Sequence, residues 1–249
     1  MIQSGTMDGR TVDAKGFRLR GREVSRLEAL SDAVFGFAIT LLVVSLEVPR
    51  TAAALFETMN GFVGFAACFA LLFLIWHNQN RFFRRYGLND GWTVALNGVL
   101  LFVIVFFVYP LKFVFTLVID MMRGARPLLQ THDGVPVLTT DQWPQLMMIY
   151  GAGYMAVFMI FALLHLNALR LADVIELSEL ERHDTIDNVY ESLLNVGIGA
   201  ASVLLAVFGG EMGPRLSGLV YWLVGPVLLV HGWISGRARK QIQTRVATG

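Results

Sequence analysis

Charged residues are scarce in this sequence, in which 16% of the 249 residues are Asp, Glu, Lys or Arg. Soluble domains carry about 25% charged residues, whereas 55% of this chain is hydrophobic. The composition therefore argues against an ordinary water-soluble domain and predicts an integral membrane protein. The formal net charge of +1 provides no basic excess for binding nucleic acid, so we expect no nucleic-acid partner.

Cysteine and catalytic motifs are also lacking. Cys68 is the single cysteine, so the chain cannot form an internal disulfide. The sequence contains no GxSxG, HExxH, GxGxxG or P-loop string, the patterns that position nucleophiles, zinc ions or phosphates. We therefore expect neither an enzyme nor a cofactor. We also expect no resident metal, because no set of His, Cys and Glu residues has ligand spacing.

Long apolar runs dominate what is present. A membrane-spanning helix needs ~20 mostly apolar residues, and six such runs predict an all-α integral membrane protein with six transmembrane helices. The predicted helices cover residues 28–48, 58–79, 92–117, 144–170, 189–210 and 216–236. They form one six-span domain over residues 25–240. We expect a partly disordered tail over residues 1–24 and a second tail over residues 241–249.

The basic residues predict the orientation of these spans. Fifteen of the 20 Lys and Arg residues fall in the two tails and in the loops after the second and fourth spans. Four fall on the opposite side. Because cytoplasmic loops are enriched in Lys and Arg, both termini are predicted to be cytoplasmic. The protein is then a multi-pass protein of the inner (plasma) membrane, with the lipid bilayer as its surroundings.

The first span begins with a polar shoulder. In the stretch RLEALSDAVFGFAITLLVV, residues 26–44, Arg26, Ser31 and Asp32 precede fourteen uncharged residues. Ionisable groups within a membrane are costly and usually have a partner. Glu28 and Asp32 are four residues apart, so they lie on one side of this helix and repel each other. We therefore expect a neighbouring helix to supply the hydrogen-bond partners of this polar shoulder.

An apolar stripe follows on the same helix. Phe37, Leu41 and Val44 repeat at i, i+4 and i+7 and share one face. Such a stripe is usually a helix-packing surface, and spacing alone does not distinguish packing from the lining of a pore. The string NVGIG at residues 195–199 lies within an apolar run with no pore half-helix before it. We therefore expect helix packing there rather than an ion filter.

Three of these motifs together resemble the transmembrane protein 175 family of potassium channels. The family pattern Arg-x-x-x-Phe-Ser-Asp, with a threonine eight residues past the aspartate, reads here as Arg26, Leu30, Ser31, Asp32 and Thr40. The second span ends in LLFLIWHNQNRFF and the third reads LNGVLLFVIVFFVYP, and both are similar to the family's spans. The resemblance covers the first three spans well and the last three by span count and topology.

The resemblance implies a potassium-preferring cation channel, with K⁺ as the permeant species and without a carbonyl-type selectivity filter. Because the motif occurs once, it also implies a homotetramer around a pore lined by the first helix. Phe37, Leu41 and Val44 would form an apolar pore constriction that gates the channel. Phe37 stands where the family usually has isoleucine. Thr40 would add a selectivity layer of hydroxyl groups.

The resemblance further implies a polar network that attaches the first helix to the next two. Its members are Arg26, Ser31 and Asp32 of the first span, Trp76 and His77 of the second, and Asn97 of the third. The family's tryptophan and histidine are commonly three residues apart, whereas Trp76 and His77 are adjacent and Gln79 occupies the later position. Both His77 and Gln79 are therefore candidates for the polar position on the second span.

Two other function classes are left open by the residues themselves. A secondary transporter is usually built from internal repeats, with helices broken near the middle of the membrane. Pro110, Pro226 and the glycines are too scattered to indicate such repeats. A non-transporting membrane structural protein requires only helix packing. Reconstituted flux distinguishes these classes from a channel.

Overall fold

A computed structural model describes residues 5–7, 10–21, 23–44, 50–52, 56, 59, 62–122, 139 and 142–248. These residues form helices, preceded by a two-stranded antiparallel hairpin of β1 (Gly5–Met7) and β2 (Arg10–Val12). The helices are α1 (Arg26–Val44), α2 (Phe62–Tyr86), α3 (Gly91–Met122), α4 (Trp143–Arg170), α5 (Glu179–Phe208), α6 (Gly213–Leu219) and α7 (Val224–Thr248). The predicted all-helical class is confirmed.

Five stretches of helix are long and apolar enough to cross a membrane. They are Phe62–Tyr86, Gly91–Phe115, Trp143–Arg170, Glu179–Phe208 and Leu216–Arg245. The last runs through α6, a 3₁₀ turn at Val220–Leu223 and α7. At ~1.5 Å per residue the 19 residues of α1 extend over ~28 Å, close to the ~30 Å of a hydrocarbon core. The predicted end of this span at residues 45–48 lies outside the described residues.

The ends of several helices differ from the sequence-based expectation, and the differences are largest in α5 and α7. Helix α5 begins at Glu179, ten residues before the predicted start at 189, because a capping box initiates it. The Ser178 hydroxyl accepts from the Glu181 N–H, and the Glu181 carboxylate accepts from the Ser178 N–H. Helix α7 continues to Thr248 rather than ending at 236, since residues 237–248 contain neither Gly nor Pro to stop it.

The core of the bundle forms where α1 packs against α2 and α3 and where α4 packs against α3 and α5. Phe35, Ala38 and Leu42 repeat at i, i+3 and i+7, and all three are buried on one face of α1. They pack in one cluster with Leu72 of α2 and Leu100 of α3. Lipid tails are as apolar as these side chains, so close van der Waals packing rather than water exclusion favours the contact.

Residues 10–21, here called the N-terminal segment, fold against one end of the bundle within the tail that was expected to be partly disordered. Asp13 accepts a hydrogen bond of 2.9 Å from Nε of Arg85 on α2, and both side chains are buried. Arg20 pairs with Glu181 of α5 at 2.7 Å. Phe17 is buried with its ring 5.5 Å from that of Tyr86. The segment is ordered because its charges have partners on distant helices.

The Asp13 carboxylate is held in its charged form. Burial acts to raise its pKa, but the Arg85 guanidinium and the backbone N–H groups of Phe17 and Lys15 outweigh that effect, so the pKa lies below its ordinary value. Arg239 of α7 donates to the Lys15 carbonyl oxygen at 2.6 Å. The N-terminal segment and the last helix therefore meet at the same end of the molecule.

Gly21 is predicted to be essential for docking of the N-terminal segment. Its N–H donates to the Arg84 carbonyl oxygen at 3.1 Å, and an added Cβ would lie 2.6 Å from the Phe83 carbonyl oxygen. We expect Gly21→Ala to destabilise the protein by ~1–3 kcal/mol, measured as a lower melting temperature and faster proteolysis of residues 10–21. Gly91→Ala is the matched control, because a Cβ there meets open space. Equal stability of the two variants would contradict the docking.

Candidate functional site

Helix α1 begins with a capping box that the sequence analysis missed. The Glu28 N–H donates to Ser25 Oγ at 3.1 Å, and the Ser25 N–H donates to Glu28 Oε1 at 3.3 Å. Glu28 is only 6% exposed, and its carboxylate finds a hydrogen-bond donor in the backbone at the start of its own helix. The string Ser-Arg-Leu-Glu at residues 25–28 matches the capping-box pattern, so this signal was present in the sequence.

A chain of buried hydrogen bonds connects α2, α3 and α1. Gln79 Nε2 donates to Asn97 Oδ1 at 2.8 Å, and Asn97 Nδ2 donates to Ser31 Oγ at 2.9 Å. The Ser31 hydroxyl then donates to the Leu27 carbonyl oxygen at 2.8 Å. The side chains of Gln79, Asn97 and Ser31 are 0–1% exposed. Each group donates to the next, so the chain has one consistent direction from α2 to the backbone of α1.

A second contact joins α1 to α2 at the rim of this chain. Trp76 Nε1 donates to Asp32 Oδ1 at 2.7 Å. The structure thus brings together Ser31 with Asn97 and Asp32 with Trp76, four of the six residues named for the expected network. Arg26 and His77 are both exposed, and among the described residues neither takes part in a hydrogen bond of this network.

The polar position on α2 is occupied by Gln79 and not by His77. At 100° per residue the two side chains point in nearly opposite directions, about 160° apart around the helix. Only one of them can therefore face α1 and α3. Residues 62–86 form one helix whose buried residues include Cys68, Leu72 and Gln79, and these lie on the side that meets the core. His77 is turned away to the surface.

The opposite face of α1 is exposed along its length. Its centre consists of small residues, Ala29, Ala33 and Gly36, and Phe37 lies at one edge with 58% of its surface exposed. Leu41 lies further round and is half-buried against the core cluster. The backbone of Val44 is helical, and its side chain lies outside the described residues. Phe37 and Leu41 both belong to the predicted stripe, but Phe37 is exposed whereas Leu41 is half-buried.

Thr40 presents an oxygen on this outward face. Its hydroxyl donates to the Gly36 carbonyl oxygen one turn earlier, at 2.8 Å. Because the hydroxyl proton is used within the helix, the remaining lone pairs of the oxygen point away from it and can accept from water or coordinate a cation. Thr40 is exposed, so this oxygen is accessible from outside the subunit.

The NVGIG string at residues 195–199 lies in unbroken helix α5. The Asn195 side chain accepts from Tyr154 at 2.6 Å and donates to the Glu191 carbonyl oxygen at 2.8 Å. A Cβ on Gly199 would lie 2.6 Å from Cγ of Met155, so the glycine permits close packing of α5 on α4. Its carbonyl groups belong to the helical ladder, as expected for a packing motif.

Sequence comparisons place these features among known proteins. The family model described as endosomal/lysosomal potassium channel TMEM175 matches residues 26–107, which include the whole polar network. A potassium channel of Marivirga tractuosa is 34% identical over 230 residues, which cover 91% of this chain and 93% of that protein. A potassium channel of Chamaesiphon minutus is 32% identical over 96 residues, covering 35% of this chain and 47% of that protein.

Two solved structures have a similar fold. One is the crystal structure of a variant of the potassium channel MtTMEM175 in complex with a nanobody-MBP fusion protein. It has a TM-score of 0.79 and 33% identity, covering 91% of this chain and 99% of that chain. The other is the crystal structure of a lysosomal potassium-selective channel TMEM175 homolog from Chamaesiphon minutus. It has a TM-score of 0.55 and 22% identity, covering 83% of this chain and 96% of that chain. At that identity the second match shows similarity of fold alone.

Gln79 rather than His77 is predicted to stabilise the attachment of α1. Gln79→Leu leaves Oδ1 of Asn97 buried without its donor, and such a group costs ~1–3 kcal/mol. We expect a correspondingly lower melting temperature in detergent. His77→Ala is the control on the same helix, and as an exposed substitution it should change stability by less than ~0.5 kcal/mol. A larger loss in His77→Ala than in Gln79→Leu would contradict the assignment.

Proposed function

The chain belongs to the TMEM175 family of potassium channels, and on that premise we propose that it conducts K⁺ through a pore lined by α1. The observation that carries the proposal is the division of α1 into two faces. Its inner face, with Ser31 and Phe35, is buried against α2 and α3. Its outer face leaves Phe37 and Thr40 exposed, where copies of the chain can meet. The activity is ion transport and not enzymatic catalysis.

The pore requires more than one copy of the chain, and we propose a homotetramer. The exposed centre of α1 consists of Ala29, Ala33 and Gly36, and small residues allow helix backbones to approach closely within a membrane. A Cβ added at Gly36 meets nothing within its own subunit. The free space at this glycine is therefore available to a neighbouring copy of α1.

Permeation would depend on the oxygen and the ring that α1 presents to the pore axis. An ion in hydrocarbon is prohibitively unstable, so its path needs water or oxygen ligands. We assign the ligand role to Thr40, whose oxygen is accessible while its proton is bound to the Gly36 carbonyl. Phe37, with Leu41 and Val44 further along the helix, would form the apolar constriction that closes by dewetting. No carbonyl-type filter is part of this proposal.

We propose the orientation of the chain in the membrane from the distribution of its basic residues. Arg239 and the N-terminal segment lie at one end of the bundle, where Arg81, Arg85 and Arg182 also lie. Because basic residues are retained on the cytoplasmic side, we propose that this end, and with it both termini, faces the cytoplasm. The protein would then be a multi-pass protein of the inner membrane.

Potassium and sodium flux through purified protein in liposomes tests the proposed activity. We expect passive K⁺ flux that exceeds Na⁺ flux and needs no coupled gradient. Saturable uptake that depends on a second gradient would indicate a transporter instead. Absence of flux, with intact oligomers in the same preparation, would indicate a structural role.

Phe37→Ala is predicted to increase K⁺ flux. Removing the ring widens the proposed constriction, and lowering the barrier by ~1.4 kcal/mol raises the rate about tenfold. The measurement is initial flux per oligomer in proteoliposomes. Phe102→Ala is the matched control, because Phe102 is similarly exposed but lies on α3. Unchanged flux in Phe37→Ala, or an equal rise in the control, would contradict the proposed gate.

Gly36→Leu is predicted to prevent assembly while the subunit still folds. The leucine fits the open space within one subunit but would block the close approach of a second α1. We expect subunits of unchanged helicity and a shift from tetramer to smaller species by mass measurement. Gly98→Leu on α3 is the control, since Gly98 is likewise exposed and open. A normal tetramer in Gly36→Leu would place the subunit contact elsewhere.

A further inference from the structure

Two cavities lie in a row along the groove between α2 and α4. The first is polar, measures about 70 Å³ and is lined by Asn78, Arg81, His165, Asn188, Glu191 and Ser192, among others. The second is apolar, measures about 50 Å³ and is lined by residues such as Leu72, Ile75 and Val157. Phe158 lines both cavities. The groove therefore holds a polar and an apolar compartment that adjoin at the Phe158 side chain.

Arg81 supplies the positive charge of the polar compartment. Its guanidinium makes one hydrogen bond among the described residues, a 3.3 Å contact to Asn188 Oδ1, although the group carries five N–H donors. Arg85 also lines the compartment, but its charge is neutralised by Asp13. Arg81 is thus the cation able to bind an incoming anionic group.

Glu191 and His165 supply acceptors in the same compartment. Glu191 is exposed, and its charge acts on Arg81 without a direct salt bridge between the two side chains among the described residues. His165 Nδ1 lies 2.8 Å from the Phe161 carbonyl oxygen. Because a carbonyl can only accept, Nδ1 carries the proton, and Nε2 of the neutral ring is left as an acceptor. The compartment therefore pairs one available cation with one carboxylate and one neutral acceptor.

The position of the groove matches that of a lipid in one leaflet. Arg81 and His165 each lie five residues from the ends of their helices at Tyr86 and Arg170, or ~7.5 Å along the axis. This depth is that of headgroups rather than of the hydrocarbon centre. The apolar compartment lies deeper, where an acyl chain runs. At ~10–15 Å³ per water-sized group, the polar compartment of about 70 Å³ holds about five to seven such groups, which accommodates the five heavy atoms of a phosphate.

We propose that this groove binds one phosphatidylethanolamine-type phospholipid per chain. The phosphate contacts Arg81, the primary ammonium donates to Glu191 and to Nε2 of His165, and an acyl chain enters the apolar compartment past Phe158. A zwitterion fits because the two available charges of the compartment cancel. An ammonium that donates hydrogen bonds fits better than a choline, because the acceptors need a donor. This binding does not depend on the proposed ion conduction.

Lipid titrations of the delipidated full-length protein in detergent test the site. Native mass spectrometry would measure binding of phosphatidylethanolamine, phosphatidylcholine and phosphatidylglycerol with identical acyl chains. We expect one phosphatidylethanolamine per chain, bound about tenfold more tightly than the other two lipids. Arg81→Gln should weaken it about tenfold, and Glu191→Gln should remove the preference over phosphatidylcholine. Arg84→Gln and Glu179→Gln, on the same two helices but outside the cavity, should change neither quantity.

Two outcomes would overturn the proposal. If phosphatidylglycerol binds most tightly and Glu191→Gln strengthens it further, the site selects an anionic lipid and not a zwitterion. If the three lipids bind equally to the wild-type protein, the groove holds only bulk bilayer lipid. The wild-type ranking decides between these results even if Arg81→Gln does not fold. Ion flux is measured separately, so a negative result here leaves the proposed channel activity unaffected.

Discussion

The buried hydrogen-bond chain from Gln79 through Asn97 to Ser31 is the interaction on which the arrangement of α1 depends. Within a bilayer no water is available to satisfy a polar group, so each one must find a partner inside the protein. Apolar packing alone would tolerate several rotations of α1, because lipid tails and leucine side chains are equally apolar. The polar chain selects one rotation, and that rotation places Phe35, Ala38 and Leu42 inward.

The outward face of α1 follows from the same constraint. With Ser31 facing inward, Gly36, Phe37 and Thr40 face outward. The Thr40 hydroxyl donates its proton to the Gly36 carbonyl oxygen within the helix. The residue is therefore stable in apolar surroundings, and its oxygen can still coordinate a hydrated cation. In the proposed oligomer, a ring of such oxygens beside large apolar side chains would combine a ligand for a cation with a surface that repels water. In the proposed channel, the residues that α2 and α3 bury on α1 thus determine which of its residues line the pore.

At the charged end of the bundle, buried acidic and basic side chains neutralise each other in pairs. Asp13 neutralises Arg85 and Glu181 neutralises Arg20, in pairs that are mostly buried. Removing one member of such a pair would leave an uncompensated buried charge, so the N-terminal segment is held to this end. The same pairing leaves Arg81 and Glu191 as the available charges of the groove between α2 and α4. The lipid selectivity that we propose is therefore a consequence of which charges the protein has already paired.

Local properties of the sequence determined the helical class, the positions of the apolar runs and the motif that identifies the family. These follow from composition and from patterns within about twenty residues, which act before any tertiary contact forms. The resemblance also named Ser31, Asp32, Trp76 and Asn97 as members of one polar network, but it did not say which of them pair. The capping box of Ser25 and Glu28 was readable and was overlooked.

Tertiary structure decided what depends on helix rotation and on contacts between distant residues. Gln79 and His77 are equally polar neighbours in the sequence, and only the packing of α2 turns Gln79 inward. The docking of Asp13 and Arg20 joins residues 72 and 161 positions apart, which composition does not reveal. The groove likewise exists only because α2, α4 and α5 place Arg81, His165 and Glu191 around one space. Such juxtapositions arise from three-dimensional packing, which local patterns constrain but do not specify.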